Sequence, residues 1–211
     1  MATKHVTHSV PVVFSATLAS FVAMTPQSAT CAEMSHEHHH HHQMADAPYQ
    51  ASVHEYALPD VTLIRDDGAE VRLPAEIDDG RPVVLNFIYT SCTAICPMLS
   101  QTFAGFQQKL GDDVGGVHMI SISIDPDYDT PERLAAYAER YGAGEQWTYY
   151  TGTPEASIAV QKAFQAYYVD KMNHRPVAFL RRGPGEPWVR LDGFASPDDL
   201  VREYRQLVDA G

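Results

Sequence analysis

Cysteine is scarce in this sequence, with three among 211 residues: Cys31, Cys92 and Cys96. A closed structural zinc site would want four ligands, and there is no second cysteine pair to supply them. A disulfide between Cys92 and Cys96, four positions apart, would close too small a loop to constrain the unfolded chain, which argues against a structural staple. Positive charge is thin as well, 15 Lys and Arg against 27 Asp and Glu, for a formal net charge of −12. A nucleic-acid binder needs a basic face to neutralise phosphates, so that class is set aside. The apolar run Val10–Met24 is diluted by Ser and Thr and falls short of the about 20 residues of a permanent membrane span. No peroxidatic motif is present, which leaves a peroxidase-like stress protein without support.

Residues 1–31 contain no Asp or Glu and a single basic residue, Lys4, before the apolar run gives way to "TPQSATCA". This reads as a secretory signal peptide cleaved near Ala29–Ala32; the alternatives are an uncleaved anchor or an ordinary cytosolic start. Ser28-Ala29-Thr30 is a poor match to a lipid-attachment site at Cys31. Export, here to the periplasm, leaves the folded domain with two thiols in an oxidising compartment. Next comes "SHEHHHHHQM", Ser35–Met44. It reads either as an expression tag or as a natural metal-collecting tract, since neutral imidazoles bind Cu, Zn and Ni without needing a fold. Residues 32–54 are accordingly expected to be a His-rich disordered tail and linker, with His54 solvated. The folded domain is expected over residues 55–211.

Within that domain, "DVTLIRDDGAEVRLP" alternates about Asp67-Gly68 as a hairpin, and "PVVLNFIY" is a strand buried on both faces. "CPMLSQTFAGFQQKL" has helical spacing up to Gly111. "VHMISISID" is a second buried strand, and "DTPERLAAYAERYG" is a helix capped by Asp129 or Thr130. "WTYYTG" is a short strand, "TPEASIAVQKAFQAYY" a capped helix, "PVAFLRR" and "PWVRLDGF" are strands, and "SPDDLVREYRQLVDA" is the last helix. This order gives an α/β fold with a central mixed sheet flanked by helices. Met98 and Met119 sit in apolar periodic segments and read as core. Met172, in a loop near His174, is open to another role, because thioether sulfur suits Cu(I).

"TSCTAICP" places Cys92 and Cys96 where a buried strand hands over to a helix. Backbone N–H groups at a helix start, and the helix dipole, stabilise a thiolate, which is both nucleophile and metal ligand. Two soft thiolates select Cu(I), Zn or an Fe–S cluster; two thiolates with one imidazole suit copper in either oxidation state. A third ligand would come from one of two histidines. His118 begins a strand among apolar residues and reads as an ordinary packed side chain. His174 lies 78 residues beyond Cys96 and just before a buried strand. In a thioredoxin-like sheet the loop before that strand faces the cysteine-bearing turn, which makes His174 the better candidate.

"NFIYTSCTAICPMLS", then "ISIDPDYDTPERL", then a histidine before an apolar strand together resemble the SCO (SenC/PrrC) copper proteins, over about residues 55–209. The resemblance implies a thioredoxin-like fold, copper ligation by Cys92, Cys96 and His174, and a role in cytochrome c oxidase assembly. Asp125 and Asp129 fall in the family's acidic turn but not among its usual ligands. Asn173 and Arg175 stand where the family often has Asp and Ser or Thr, which alters the charge beside the histidine. The expected function is therefore a copper metallochaperone, handling Cu(I) or Cu(II), rather than an enzyme. Its client would be cytochrome c oxidase subunit II or another exported copper protein, with membrane contact only through the client or an uncleaved anchor. The alternative is a thiol–disulfide oxidoreductase that reduces client cysteines before metallation.

Overall fold

The computed structural model describes residues 49–210. The expected signal peptide and the histidine tract lie outside the described residues. The described residues belong to one compact unit, and both of its cores and its whole sheet lie within Tyr49–Asp209, so this part carries what it needs to fold by itself.

The chain runs β1 (Tyr49–His54), β2 (Thr62–Arg65), β3 (Glu70–Arg72), α1 (Leu73–Ile77), β4 (Val83–Ile88) and α2 (Ile95–Leu110). It continues with β5 (His118–Ser123), α3 (Pro131–Arg140), β6 (Trp147–Gly152), α4 (Pro154–Ala163), β7 (Val177–Arg181), β8 (Trp188–Gly193) and α5 (Pro197–Asp209). The eight strands form one sheet in the order β1-β8-β7-β4-β5-β6-β2-β3. β4, β5 and β6 are parallel, while β7 runs antiparallel to β4.

β4 is buried along its whole length, and its alternation divides the interior in two. Val84 and Ile88 enter a core with Phe103 and Phe106 of α2, Leu134 and Tyr137 of α3, and Leu200 and Tyr204 of α5. Val83, Leu85 and Phe87 enter the opposite core, with Leu73 and Ile77 of α1 and Val160 of α4. There Phe87, Phe164, Phe179 and Trp188 meet edge-to-face, with centroids 5.0–5.9 Å apart, a favoured aromatic arrangement. Asn86, on the Val84 face, takes a hydrogen bond from Ser121 at 2.7 Å, and Ser121 takes one from Trp147 Nε1 at 3.0 Å.

The helix ends follow from their residues. Thr130 accepts from the Arg133 amide, Thr153 from that of Ala156, and Ser196 and Asp199 form a reciprocal capping box, satisfying first-turn donors that the helices themselves cannot. Gly111 ends α2 at φ +56°, a conformation that disfavours side chains. Gly105 lets α5 come close, since a Cβ there would stand 2.7 Å from Pro197 Cγ.

The structure departs from three expectations and decides between two caps. Tyr49–His54, expected as linker, is strand β1 paired along β8. His54 there is half-buried, stacked on Tyr56 and 2.9 Å from Ser52 Oγ. Of the two caps expected for α3, Thr130 is the one used, and Asp129 does something else. Helix α4 stops at Ala163, before Gln165 takes φ +53°. Met119 is core as expected, but Met98 is 51% exposed. Two positions past Cys96, about 200° round the helix, Met98 turns outward because Cys96 turns in.

Candidate metal centre

Parallel β4 and β5 deliver their C-terminal ends to one edge of the sheet, and antiparallel β7 begins there. Asn86 of β4 lies opposite Ala178 of β7. The turn after β4 and the loop before β7 therefore face each other, although 78 residues separate Cys96 from His174.

Cys92 closes a tight turn, its amide bonded to the Tyr89 carbonyl at 3.1 Å. Cys96 sits in the first turn of α2, and its N–H donates to Cys92 Sγ at 3.3 Å. Both cysteines are free thiols. Cys96 is fully buried, whereas Cys92 retains 8% exposure. Burial pushes the Cys92 thiol up, but the backbone N–H groups of Cys96 and Ala94, with the Cys96 and Tyr89 side chains, outweigh it and hold the thiol below its ordinary range. Burial, then the neighbouring Cys92, push the Cys96 thiol well above that range.

His174 Nδ1 lies 2.7 Å from the Lys171 carbonyl oxygen. A carbonyl only accepts, so Nδ1 carries the proton and Nε2 is left with a free lone pair. That Nε2 lies 3.5 Å from Cys96 Sγ. Burial pulls the imidazole below its usual value, against the opposing Lys171 carbonyl, which keeps the ring neutral and able to ligate. Cys92, Cys96 and His174 each offer one ligand atom, and the three atoms lie within 4.8 Å of one another.

Two carboxylates hold the walls. Asp129, wholly buried, accepts from the Thr90 amide at 3.1 Å, from Thr90 Oγ1 at 2.5 Å and from Ser123 Oγ at 2.6 Å. It ties the cysteine turn to β5. Asp125, just past the end of β5, pairs with Lys171, tying the histidine loop to that strand's end, and Asp170 caps that loop by accepting the Met172 amide at 2.9 Å. Tyr89 packs its ring edge-on to His174, centroids 5.2 Å apart.

The structure thus brings together Cys92, Cys96 and His174, and leaves Asp125 and Asp129 as supports. Asn173 and Arg175 are exposed on either side of His174. His118 is packed at the far end of β5, opposite Val83, with Nε2 3.0 Å from Thr148 Oγ1 and Nδ1 3.1 Å from Asp79. Tyr89, Thr90, Asp170 and Lys171 were not visible as site residues. Tyr89 read as the end of a buried strand, and nothing in the sequence marked the other three.

The two thiols should differ in reactivity. Iodoacetamide is expected to alkylate Cys92 first in the metal-free, reduced protein, with a pH midpoint below the about 8.5 of a free thiol. Mass spectrometry of the labelled peptide reads this directly; equal labelling of Cys96 would refute it.

The comparisons with known proteins agree on one family. A family model described as SCO1/SenC matches residues 49–209. The SCO1 protein homolog of Bacillus subtilis is 32% identical over 160 residues, covering 71% of this chain and 82% of that one. Protein SenC of Rhodobacter capsulatus is 31% identical over 131 residues, covering 62% of this chain and 52% of its own length. Among solved structures, Arabidopsis thaliana ScoI with copper bound superposes with a TM-score of 0.61 at 24% identity, over 78% of this chain and all of that one. That identity speaks for the fold alone, a thioredoxin-like α/β fold on a mixed sheet. With a family model spanning nearly every described residue, and a relative of this identity and coverage, the chain belongs to the SCO1/SenC family.

Proposed function

We propose that this protein is an exported copper metallochaperone that holds one copper through Cys92, Cys96 and His174 and passes it to a client by ligand exchange. The observation that carries the reading is the closeness of two thiols and one imidazole lone pair on converging walls. Two sulfurs and one nitrogen are a soft donor set that suits copper, and three ligands leave room for a donor from the client. A relative's structure holding copper supports the choice of metal.

The division of labour follows from the two thiols. Cys92, the more exposed and more acidic, meets the incoming ion. Cys96 and His174 complete the set from inside, the Cys96 proton leaving to water as its sulfur binds. The client is the dinuclear copper centre of cytochrome c oxidase subunit II or another exported copper protein, and the histidine tract Ser35–Met44 binds further copper more weakly. No helix among the described residues is long and apolar enough to cross a membrane.

The domain truncated to residues 44–211 is expected to bind one copper per chain, with sulfur and nitrogen ligation by X-ray absorption. Cys92→Ala, Cys96→Ala and His174→Ala should each weaken binding by at least about a hundredfold, ~2.7 kcal/mol. Wild-type affinity in His174→Ala would overturn the ligand set.

One observation favours a second reading, the thiol–disulfide oxidoreductase. A less deeply buried thiol of lowered pKa beside a fully buried thiol of raised pKa is the asymmetry of an attacking and a resolving cysteine. Only the copper reading requires His174.

A further inference from the structure

Met172 is 68% exposed, two positions before His174. A single apolar side chain in water is ordinary. What sets this one apart is that its sulfur has a partner: the Tyr89 hydroxyl donates to Met172 Sδ at 3.3 Å. Tyr89 is itself buried and leans its ring on His174. One tyrosine thus links the exposed thioether to the imidazole.

The placement is built in. The Met172 amide is held by Asp170 Oδ1, the Asn173 amide by the Asp170 carbonyl at 3.0 Å, and the next residue before Met172, Lys171, by Asp125. The backbone is fixed while the side chain stands at the rim, so its exposure is set by the fold. A thioether accepts hydrogen bonds weakly, so the contact with Tyr89 positions the sulfur without holding it against a better partner. Thioether sulfur is polarizable and binds Cu(I) in preference to hard cations.

We propose that Met172 is a labile thioether ligand that receives Cu(I) at the rim of the Cys92–Cys96–His174 site and passes it inward, and outward again, by ligand exchange. The inference rests on the copper reading of that site. The exchange involves no electron transfer. A Cu(I)–thioether bond forms as a bond to the donor's ligand breaks, and a Cu(I)–thiolate bond from Cys92 then replaces it. Any thiol proton displaced goes to water.

The test is anaerobic stopped-flow loading of reduced residues 44–211, with Cu(I) supplied as its bicinchoninate complex and the loss of that complex followed by its colour. Met172→Leu keeps the apolar bulk and removes the soft donor. It is expected to slow loading by at least about tenfold, while the rate of Cys92 alkylation in the metal-free protein and the urea midpoint stay at the wild-type values. Loading within about twofold of wild type would overturn the proposal. So would a parallel fall in the alkylation rate, which would make Met172 a packing residue for Tyr89. A wild-type domain that takes up no Cu(I) removes the site reading and this inference with it, whereas a normal wild type with an unaffected Met172→Leu removes only the inference.

Discussion

Replacing His174 with alanine is expected to abolish copper transfer to an oxidase subunit while changing thiol–disulfide exchange with a peptide by less than about tenfold, on the order of 1.4 kcal/mol. The groups that set thiol reactivity are elsewhere: the Cys96 and Ala94 amides and the Tyr89 hydroxyl. Alanine leaves all of them in place. What it removes is the nitrogen 3.5 Å from Cys96 Sγ, and with it one of the three proposed ligands. The measurement is oxidase activity at low copper in a strain lacking the gene, complemented by wild type, Cys92→Ser or His174→Ala. Failure of both variants supports the chaperone. Full rescue by His174→Ala beside failure of Cys92→Ser would hand the function to the reductase.

The largest effect on stability is expected at a residue that binds no metal. Asp129→Ala removes the acceptor for the Thr90 amide, Thr90 Oγ1 and Ser123 Oγ and leaves buried donors without partners, each costing about 1–3 kcal/mol. With partial relaxation the net loss should be about 3 kcal/mol or more, which for a domain of this size lowers Tm by roughly 10 °C. The functional consequence follows from position. Thr90 lies two residues before Cys92, so an untethered turn exposes that thiol and spreads the donor set. Asp129→Ala should therefore also raise the alkylation rate of Cys92 and weaken copper binding. Asp129→Asn, which keeps an acceptor, should lose less of each. An unchanged unfolding midpoint in Asp129→Ala would show that the tether carries no stability.

The elements that could be read from the sequence are those whose pattern is local. β4 is a continuous apolar run because both of its faces are covered, and α3, α4 and α5 announce themselves by Thr or Ser followed by Pro. β1 could not be read this way. Four of its six residues are exposed, so it has no apolar alternation, and only its pairing with β8 makes it a strand. α1 is five residues long, too short for a helical period. Met98 looked like core because its neighbours in α2 are apolar, but the direction of the helix is set by Cys96, Leu99 and Phe103 pointing inward. At the site, the cysteine pair was legible from its place after a buried strand. The partnership with His174 depends on β4 and β7 being antiparallel neighbours, which no spacing along the chain reveals; there the family resemblance supplied what periodicity could not. Asp129 stood beside Thr130 as a possible cap because a buried carboxylate tethering a turn looks the same in sequence as one beginning a helix.

The pairing of β1 with β8 also bears on the order in which the chain can fold. Tyr49 lies opposite Gly193, and almost every other element comes between them in sequence. A contact of such long sequence separation closes a large loop and is made late. During synthesis β1 emerges first among the described strands, yet it has nothing to dock against until β8 has left the ribosome. A chain cut short before Trp188 would present β1 as an unpaired edge with Val53 at 69% exposure even in the finished fold, open to pairing with another molecule. Premature termination in this protein should thus yield aggregates rather than a smaller working domain.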